Sequence, residues 1–258
     1  MPNKNRHVNN TIAITSIIAG SIVLITLLIL LVFVPVLSPT TNAMTVQGTS
    51  TVKVLPDLVA VFFNIQTNGT TSADANNANI VIYNNLKTSL ISLGFTESQI
   101  GTDSYSVYPN IIYDNNGKST TNGYVAYHSI KLEFSSNSTS ELSSVIDAGT
   151  NAGAGVSTIN FELSTALQNQ YKAQALQLAS QDAKTKADAV AAGFGKTIGK
   201  LVSVSVDNYN YMPWGVYSTS GASPSVAMEN AGAKAATMNL APTTQDVSAT
   251  VSATYKLA

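Results

Sequence analysis

The chain has 258 residues, of which only 10% are charged, and a formal net charge of -1. Charged residues make up about 25% of an average soluble protein, so neutral polar side chains must supply most of this surface. The sequence contains no cysteine and a single arginine, Arg6. Disulfide bonds and thiol chemistry are therefore excluded. Recognition of nucleic acid, which depends on a surplus of arginine and lysine, is disfavoured.

The run from Ile12 to Leu37 contains no charged residue and is dominated by leucine, isoleucine and valine. As a helix it would reach about 39 Å, because each residue adds about 1.5 Å, whereas the hydrocarbon core of a bilayer is about 30 Å thick. The sequence therefore predicts one transmembrane helix at 12–37, in contact with the lipid bilayer.

The orientation of this helix follows from its flanking charges. Lys4 and Arg6 precede the run, and the next basic residue is Lys53. Because basic flanks stay in the cytoplasm, we expect residues 1–11 to be a cytoplasmic tail and residues 44–258 to form an extracytoplasmic domain. That domain holds 11 lysines and all 14 acidic residues, and 11 minus 14 gives a net charge of -3.

Residues 38–43 form a short polar linker between the predicted helix and the domain. The small residues at its end resemble a signal peptidase site, and cleavage after Ala43 would release a secreted domain. However, the apolar core of a signal peptide is usually about 7 to 15 residues long. The longer run at 12–37 favours a retained signal anchor in the cell membrane.

The first half of the domain predicts two strands, a helix and two more strands. Strand boundaries come from apolar alternation, and the helix has a capping residue at its start and an apolar stripe. The expected elements are strand 44–54, central strand 58–67, helix 72–93, strand 99–108 and strand 124–134. Asp114-Asn115-Asn116-Gly117 indicates a turn in the loop between the last two strands.

The second half predicts a short helix near 139–149, a strand at 157–163 and a long helix at 168–194 whose inner stripe contains Leu176, Ala179, Ala183, Ala187, Val190 and Phe194. Strands at 201–207 and 247–257 follow, separated by a long loop at 208–245. The order ββαββαβαββ predicts an α+β domain with helices packed on a largely antiparallel sheet.

The order of elements and several local patterns together resemble the SIMPL domain family, also known as domain of unknown function 541. The resemblance covers residues 44–257. Its motifs are Val46-Gln-Gly48, Leu55-Pro56-Asp57, Thr102 to Pro109, Gly123 to Ala126, the alanine-rich segment Ala173 to Ala192, and Ile198 to Leu201. The resemblance implies a membrane-anchored or exported domain of two αβ portions that tends to form oligomers, with no established catalytic machinery and no cofactor.

His128 is the only histidine in the predicted extracytoplasmic domain. A metal site built on several histidines is therefore excluded, and so is a serine triad built on any histidine other than His128. The alternation places His128 on a strand face with Ile130 and Leu132, which favours a hydrogen-bonded structural residue over a lone base or ligand. Asp114 begins a pattern similar to a calcium loop, but Val125 stands where a bidentate glutamate is needed. We therefore expect no catalytic, cofactor-binding or metal-binding residues.

Four aromatic residues lie in the predicted loop: Tyr209, Tyr211, Trp214 and Tyr217. Exposed aromatic side chains are enriched at interfaces, so these residues are candidates for contact with a protein partner or a glycan. The alternative is a loop that folds back over its own domain and covers these rings. The sequence leaves both possibilities open.

Asn68-Gly69-Thr70 and Asn137-Ser138-Thr139 match the acceptor pattern for N-glycosylation. Asn68 and Asn137 are therefore candidate modification sites.

Together these features predict a non-enzymatic, membrane-anchored surface protein whose domain self-assembles or binds an envelope partner. The alternative is an extracytoplasmic binding module for a small ligand or glycan that uses the aromatic residues of the 208–245 loop.

Overall fold

The computed structural model describes residues 23–26, 42–219, 226–237 and 242–258. The strands and helices in chain order are β1 Ala43–Val54, β2 Leu58–Gly69, α1 Ser72–Ser92, β3 Ile100–Tyr113, β4 Ser119–Ser135, α2 Leu142–Ala152, β5 Gly155–Glu162, α3 Thr165–Gly193, β6 Ile198–Tyr211, β7 Trp214–Ser218, α4 Val226–Ala236 and β8 Gln245–Leu257. Short 3-10 turns cover Glu97–Gln99 and Ser136–Glu141. The predicted α+β class is confirmed.

Five strands form one antiparallel sheet in the order β3-β4-β2-β5-β7. On the central strand β2, Phe63 lies opposite Ile130 of β4 and opposite Val156 of β5. All three side chains are fully buried. Because residues directly opposite each other share a face of the sheet, they form a continuous apolar surface, and the prediction of a central strand at 58–67 is confirmed.

Helices α1, α2 and α4 pack against this apolar surface. α1 contributes Leu86 and Leu90, α2 contributes Val145 and Ile146, and α4 contributes Ala233, each at most 1% exposed. α1 begins with a capping box, in which the Thr71 hydroxyl accepts a hydrogen bond from Asp74 N and the carboxylate of Asp74 accepts one from Thr71 N. These helices and the sheet enclose the larger apolar core.

The buried side of α3 is made of alanines four residues apart: Ala175, Ala179, Ala183, Ala187 and Ala191. Their small side chains allow close packing against β1, where a Cβ added at Gly48 would overlap backbone atoms of Ala179 and Ala183. The prediction that Val190 and Phe194 lie on this side is wrong, since they are 42% and 81% exposed. Val190 lies on the row next to the buried alanines, and Phe194 follows the last residue of the helix.

The remaining strands form a three-stranded sheet in the order β1-β8-β6. A second apolar core contains side chains of β1, α3 and β8, among them Val54, Ala175, Ala179 and Val251. The alternation predicted for the last strand is confirmed, because Val247, Ala249, Val251 and Ala253 of β8 are all buried.

The chain divides into two compact units. The described part of the smaller unit comprises residues 23–26, 42–45, 187–203 and 254–258. Within it, Leu257 N donates a hydrogen bond to Asn42 O (2.7 Å), and Ala258 N donates one to Thr197 O (2.9 Å). The described part of the larger unit contains both apolar cores.

The segment 208–245, predicted as one long loop, contains regular structure. β6 continues to Tyr211, β7 pairs with β5, and α4 occupies Val226–Ala236. The short β7 offers only a few positions in which alternation could be detected. α4 is rich in alanine and glycine, so it lacks the stripe of large apolar side chains that identifies a helix. The predicted order of elements is therefore extended by one strand and one helix.

Several predictions about the amino-terminal region lie outside the described residues. These are the cytoplasmic tail 1–11, most of the transmembrane helix 12–37 and positions 38–41 of the linker. Residues 23–26 are helical. No helix within the described ranges combines the length and the apolar character that a membrane crossing requires. β1 begins at Ala43, so the linker 38–43 ends one residue earlier than predicted.

Candidate functional site

His128 on β4 has a hydrogen-bond partner at each ring nitrogen. Nδ1 lies 3.0 Å from Asn79 Oδ1, and Nε2 lies 2.9 Å from Thr102 Oγ1. Asn79 Nδ2 donates to Ile65 O (3.2 Å), which fixes the orientation of the amide. In neutral histidine, Nδ1 therefore donates to Asn79 Oδ1 and Nε2 accepts from the Thr102 hydroxyl. The prediction of a hydrogen-bonded His128 is confirmed.

The surroundings of His128 are neutral. The residue is 8% exposed, and the rings of Tyr83 and Tyr105 lie with their centroids 5.0 and 5.2 Å from the imidazole. Burial lowers the pKa of His128, because the imidazolium form loses hydration. Through these two hydrogen bonds the imidazole joins β4 to α1 and to β3.

Acidic residues do not form a metal site in the part of the chain that the structure describes. No group of three or more histidine, aspartate or glutamate side chains there is placed to hold a metal ion. Asp114 Oδ1 instead accepts hydrogen bonds from Asn116 N and Lys118 N, both at 2.9 Å. The pattern at 114–117 is therefore a turn between β3 and β4, as its Asn-Gly step predicted.

Tyr209 and Tyr211 pack against the second core, beside α3. Lys172 Nζ lies 4.9 Å from the centre of the Tyr209 ring. The Tyr211 hydroxyl accepts a hydrogen bond from Leu163 N (2.6 Å). Burial raises the pKa of both phenols, and both residues are half-buried.

Trp214 and Tyr217 pack against the larger core instead. The Trp214 ring stacks on Phe161 with a centroid distance of 5.3 Å. The Tyr217 hydroxyl donates to Glu229 O (2.8 Å), which joins β7 to α4. The four candidate aromatic residues are thus divided between two cores, and each ring is in contact with its own domain.

The most exposed apolar side chains of the five-stranded sheet lie on a hairpin formed by the ends of β3 and β4. The pairing of β4 with β2 ends where Gly69 meets Tyr124, whereas its pairing with β3 continues to Ser119. We call residues 110–123 the hairpin arm. Along this arm, Ile111, Ile112 and Tyr113 are 48%, 49% and 71% exposed.

Exposure on the hairpin arm is found on both of its faces. Ile111 lies opposite Thr121, and the next residue, Ile112, lies opposite Thr120, so the two isoleucines point to opposite faces. A two-stranded hairpin without further strands buries little apolar surface of its own. We did not predict this surface from the sequence, although the run Ile111-Ile112-Tyr113 beside an Asn-Gly turn could have indicated it.

Both sequon asparagines are accessible. Asn68 is exposed near the end of β2, and Asn137 is exposed in the 3-10 turn that precedes α2.

Comparison with known families agrees with the fold. The family model described as "SIMPL: Protein of unknown function (DUF541)" matches residues 44–255. The chain belongs to the SIMPL family. The SIMPL domain also resembles a protein described as "Uncharacterized protein YggE" from Edwardsiella ictaluri (strain 93-146), with 25% identity over 170 residues that cover 65% of this chain and 69% of the relative.

The SIMPL match covers β1 to nearly the end of β8 and therefore includes the hairpin arm, the His128 site and all four aromatic residues. The family description assigns no activity to any of them.

Proposed function

We propose that this SIMPL protein is a non-enzymatic surface protein that is anchored by residues 12–37 and associates with further copies of itself through the hairpin arm. The exposed apolar side chains of this arm, Ile111, Ile112 and Tyr113, carry the proposal. Apolar side chains concentrated on a protrusion are stabilised by a partner that removes them from water.

A short connection to the membrane supports the first part of the proposal. β1 begins at Ala43, so only residues 38–42 separate it from the predicted helix. Five extended residues span at most about 18 Å. A domain tethered this closely stays near the membrane, and its copies share a thin layer in which weak contacts are favoured by high effective concentration.

The composition of the hairpin arm favours a protein over a lipid surface as its partner. The tip holds Asp114, Asn115, Asn116 and Lys118, whereas the apolar residues stand behind it on β3. Insertion into a bilayer would force the polar tip into the hydrocarbon region first, at a high energetic cost. Isoleucine and tyrosine side chains behind a polar tip instead suit contact with another protein.

Native mass spectrometry of the full chain, released from detergent micelles, tests this proposal. We expect oligomers for the natural sequence and a shift to monomer for the double variant Ile111→Ser, Ile112→Ser. Burying one isoleucine contributes about 1.5 to 3 kcal/mol, so the loss of two should weaken association at least about tenfold.

The matched control is the double variant Val81→Ser, Ile91→Ser on α1, where the natural side chains are 58% and 42% exposed. This control should remain oligomeric, because it removes similar apolar surface outside the hairpin arm. Association through the hairpin arm would be refuted if the natural protein were monomeric at every concentration. It would also be refuted if both double variants dissociated equally.

The alternative function, binding of a small ligand or glycan by the aromatic residues, finds less support. Tyr209, Tyr211, Trp214 and Tyr217 are half-buried and contact the cores of their own domain. Only part of each aromatic ring is therefore accessible to a ligand.

A further inference from the structure

The two sequons of the predicted extracytoplasmic domain differ in the state of their threonine hydroxyls. In Asn68-Gly69-Thr70, Thr70 Oγ1 donates a hydrogen bond to Asp74 Oδ2 (2.8 Å). The same carboxylate accepts from Thr71 N and from the Thr71 hydroxyl, so the sequon threonine is part of the capping network of α1. The hydrogen bond from Thr70, followed by those from Thr71, lowers the pKa of Asp74 and keeps it ionised.

The middle and first positions of this sequon are also constrained. A Cβ at Gly69 would overlap Ala75 N, which shows how closely the helix start approaches the strand. Asn68 is exposed, but its backbone is held in the sheet opposite Val125 of β4. The Asn68 sequon is therefore fixed in the junction between β2 and α1.

Asn137-Ser138-Thr139 lies in the 3-10 turn between β4 and α2. The turn is fixed at Ser136, whose N donates to Asp57 O (2.9 Å) and whose hydroxyl donates to Pro56 O (2.8 Å). After this attachment the backbone leaves helical geometry at Ser138, which has φ -99 and ψ 32. Asn137 is exposed.

The side chains of this second sequon are free for recognition. Among the residues that the structure describes, neither the Asn137 carboxamide nor the Thr139 hydroxyl makes a hydrogen bond; the Asn137 backbone N donates to Ser135 Oγ (3.3 Å). The acceptor pattern demands a hydroxyl two residues after the asparagine, so the modifying enzyme must read that hydroxyl. Only the Asn137 sequon offers this hydroxyl without first breaking a hydrogen bond, because the Thr70 hydroxyl must leave the Asp74 carboxylate.

We propose that Asn137, and not Asn68, is N-glycosylated in the folded protein. The inference rests on the proposed function, because the domain must be extracytoplasmic to meet the glycosyl donor. The donor is an oligosaccharide carried on a lipid phosphate. The Asn137 amide nitrogen forms a bond to the anomeric carbon of the first sugar and loses one proton, while the bond from that carbon to the phosphate oxygen breaks and the lipid phosphate leaves with the bonding electrons.

Mass spectrometry of the full chain purified from its own membranes tests this assignment. We expect one glycan, on the peptide that contains Asn137, and complete loss of its mass in Asn137→Gln and in Thr139→Ala. Thr139→Ser keeps the hydroxyl and should keep the glycan. Asn68→Gln is the matched control and should leave the mass increment unchanged.

A glycan at Asn68, or an unmodified Asn137, overturns the assignment. Protease treatment of intact cells from the same culture separates this failure from a failure of the proposed function. If the domain is digested from outside and Asn137 is unmodified, only the glycosylation assignment is wrong. If the domain is protected until the cells are lysed, the surface location and the assignment are both wrong.

Discussion

Among the residues that the structure describes, His128 is the one histidine, and its charge depends on pH. Burial lowers its pKa in the folded protein below the ordinary value of about 6.5. The unfolded chain therefore binds a proton at a higher pH than the folded chain does. Stability that is present above about pH 6.5 should be lost as the pH falls through the lower folded pKa, with a slope of at most about 1.4 kcal/mol per pH unit.

Urea unfolding of residues 42–258 at pH 7, 6 and 5 measures this effect. The side chain in His128→Gln cannot titrate, so the free energy of unfolding of this variant should depend less on pH in this range, whatever its absolute value. The groups that surround the ring, Asn79, Thr102, Tyr83 and Tyr105, carry no carboxylate. If the free energy of unfolding changed equally with pH in the natural protein and in the variant, other residues would cause the pH dependence.

Gly48 is required by the close approach of α3 to β1. An added methyl group would overlap the backbone at Ala179 and Ala183. Gly48→Ala should therefore reduce the free energy of unfolding by about 1 to 3 kcal/mol, the usual cost of overpacking. Gly101→Ala is the matched control on β3, because an added Cβ there meets open space. Equal midpoints of urea unfolding for the two variants would contradict this explanation.

At the residue scale, the sequence showed that His128 would be structural but not which groups would bond to it. Its partner Asn79 is buried at 1% exposure on α1, although an apolar stripe does not assign an asparagine to the buried side of a helix. A buried asparagine is stable there only because its two amide atoms bond to Ile65 O and to the imidazole. Such pairings between distant residues have no signal in local periodicity.

The position of helix α4 depends on one buried amide, that of Asn230, which is 3% exposed. Its Oδ1 accepts from Val156 N (2.7 Å), and its Nδ2 donates to Thr150 Oγ1 (2.8 Å) and Ala154 O (3.1 Å). These bonds join α4 to β5 and to the end of α2.

Asn230→Ala should leave Val156 N and Ala154 O without these partners and destabilise the domain by about 1 to 3 kcal/mol. Amide hydrogen exchange should also become faster in α4 than in the natural protein, with a smaller change in α1, because α4 loses its attachment. Asn151→Ala, at an exposed position on α2, should change neither quantity. If amide exchange in α4 of the Asn230 variant were unchanged, the apolar contacts of α4 would be sufficient to hold the helix in place.

Element prediction succeeded where side chains alternate or repeat over many residues. β8 follows a clear period of two, and the buried alanines of the long helix α3 follow a period of four. It failed in 208–245, because the packing of β7 depends on Trp214 against Phe161, a contact with a distant strand. The predicted start of the short helix near 139 was also too early, since Ser136–Glu141 forms a 3-10 turn and α2 begins at Leu142 without a side-chain cap.

At the scale of the whole molecule, we predict that the proposed anchor at residues 12–37 is retained. Cleavage after Ala43 would remove Asn42, whose carbonyl oxygen accepts the hydrogen bond from Leu257 N (2.7 Å), together with the first residue of β1. Mass spectrometry of the protein from isolated membranes should therefore find peptides that begin before residue 12. A mature terminus at Met44, with the protein in the medium, would show a released domain instead.

The central claim is that anchored copies meet through the hairpin arm. Because the chain contains no cysteine, single substitutions create one thiol per copy, and a disulfide can form only between copies whose Cα atoms approach within about 7 Å. Tyr113→Cys places this thiol on the arm, and Val81→Cys places it on α1, at natural positions that are 71% and 58% exposed.

The deciding measurement is the yield of disulfide-linked dimer after mild oxidation of membranes that contain either variant of the full chain. We predict a covalent dimer from Tyr113→Cys and predominantly monomer from Val81→Cys. Equal yields from the two variants, or no dimer from Tyr113→Cys, would contradict association through the hairpin arm.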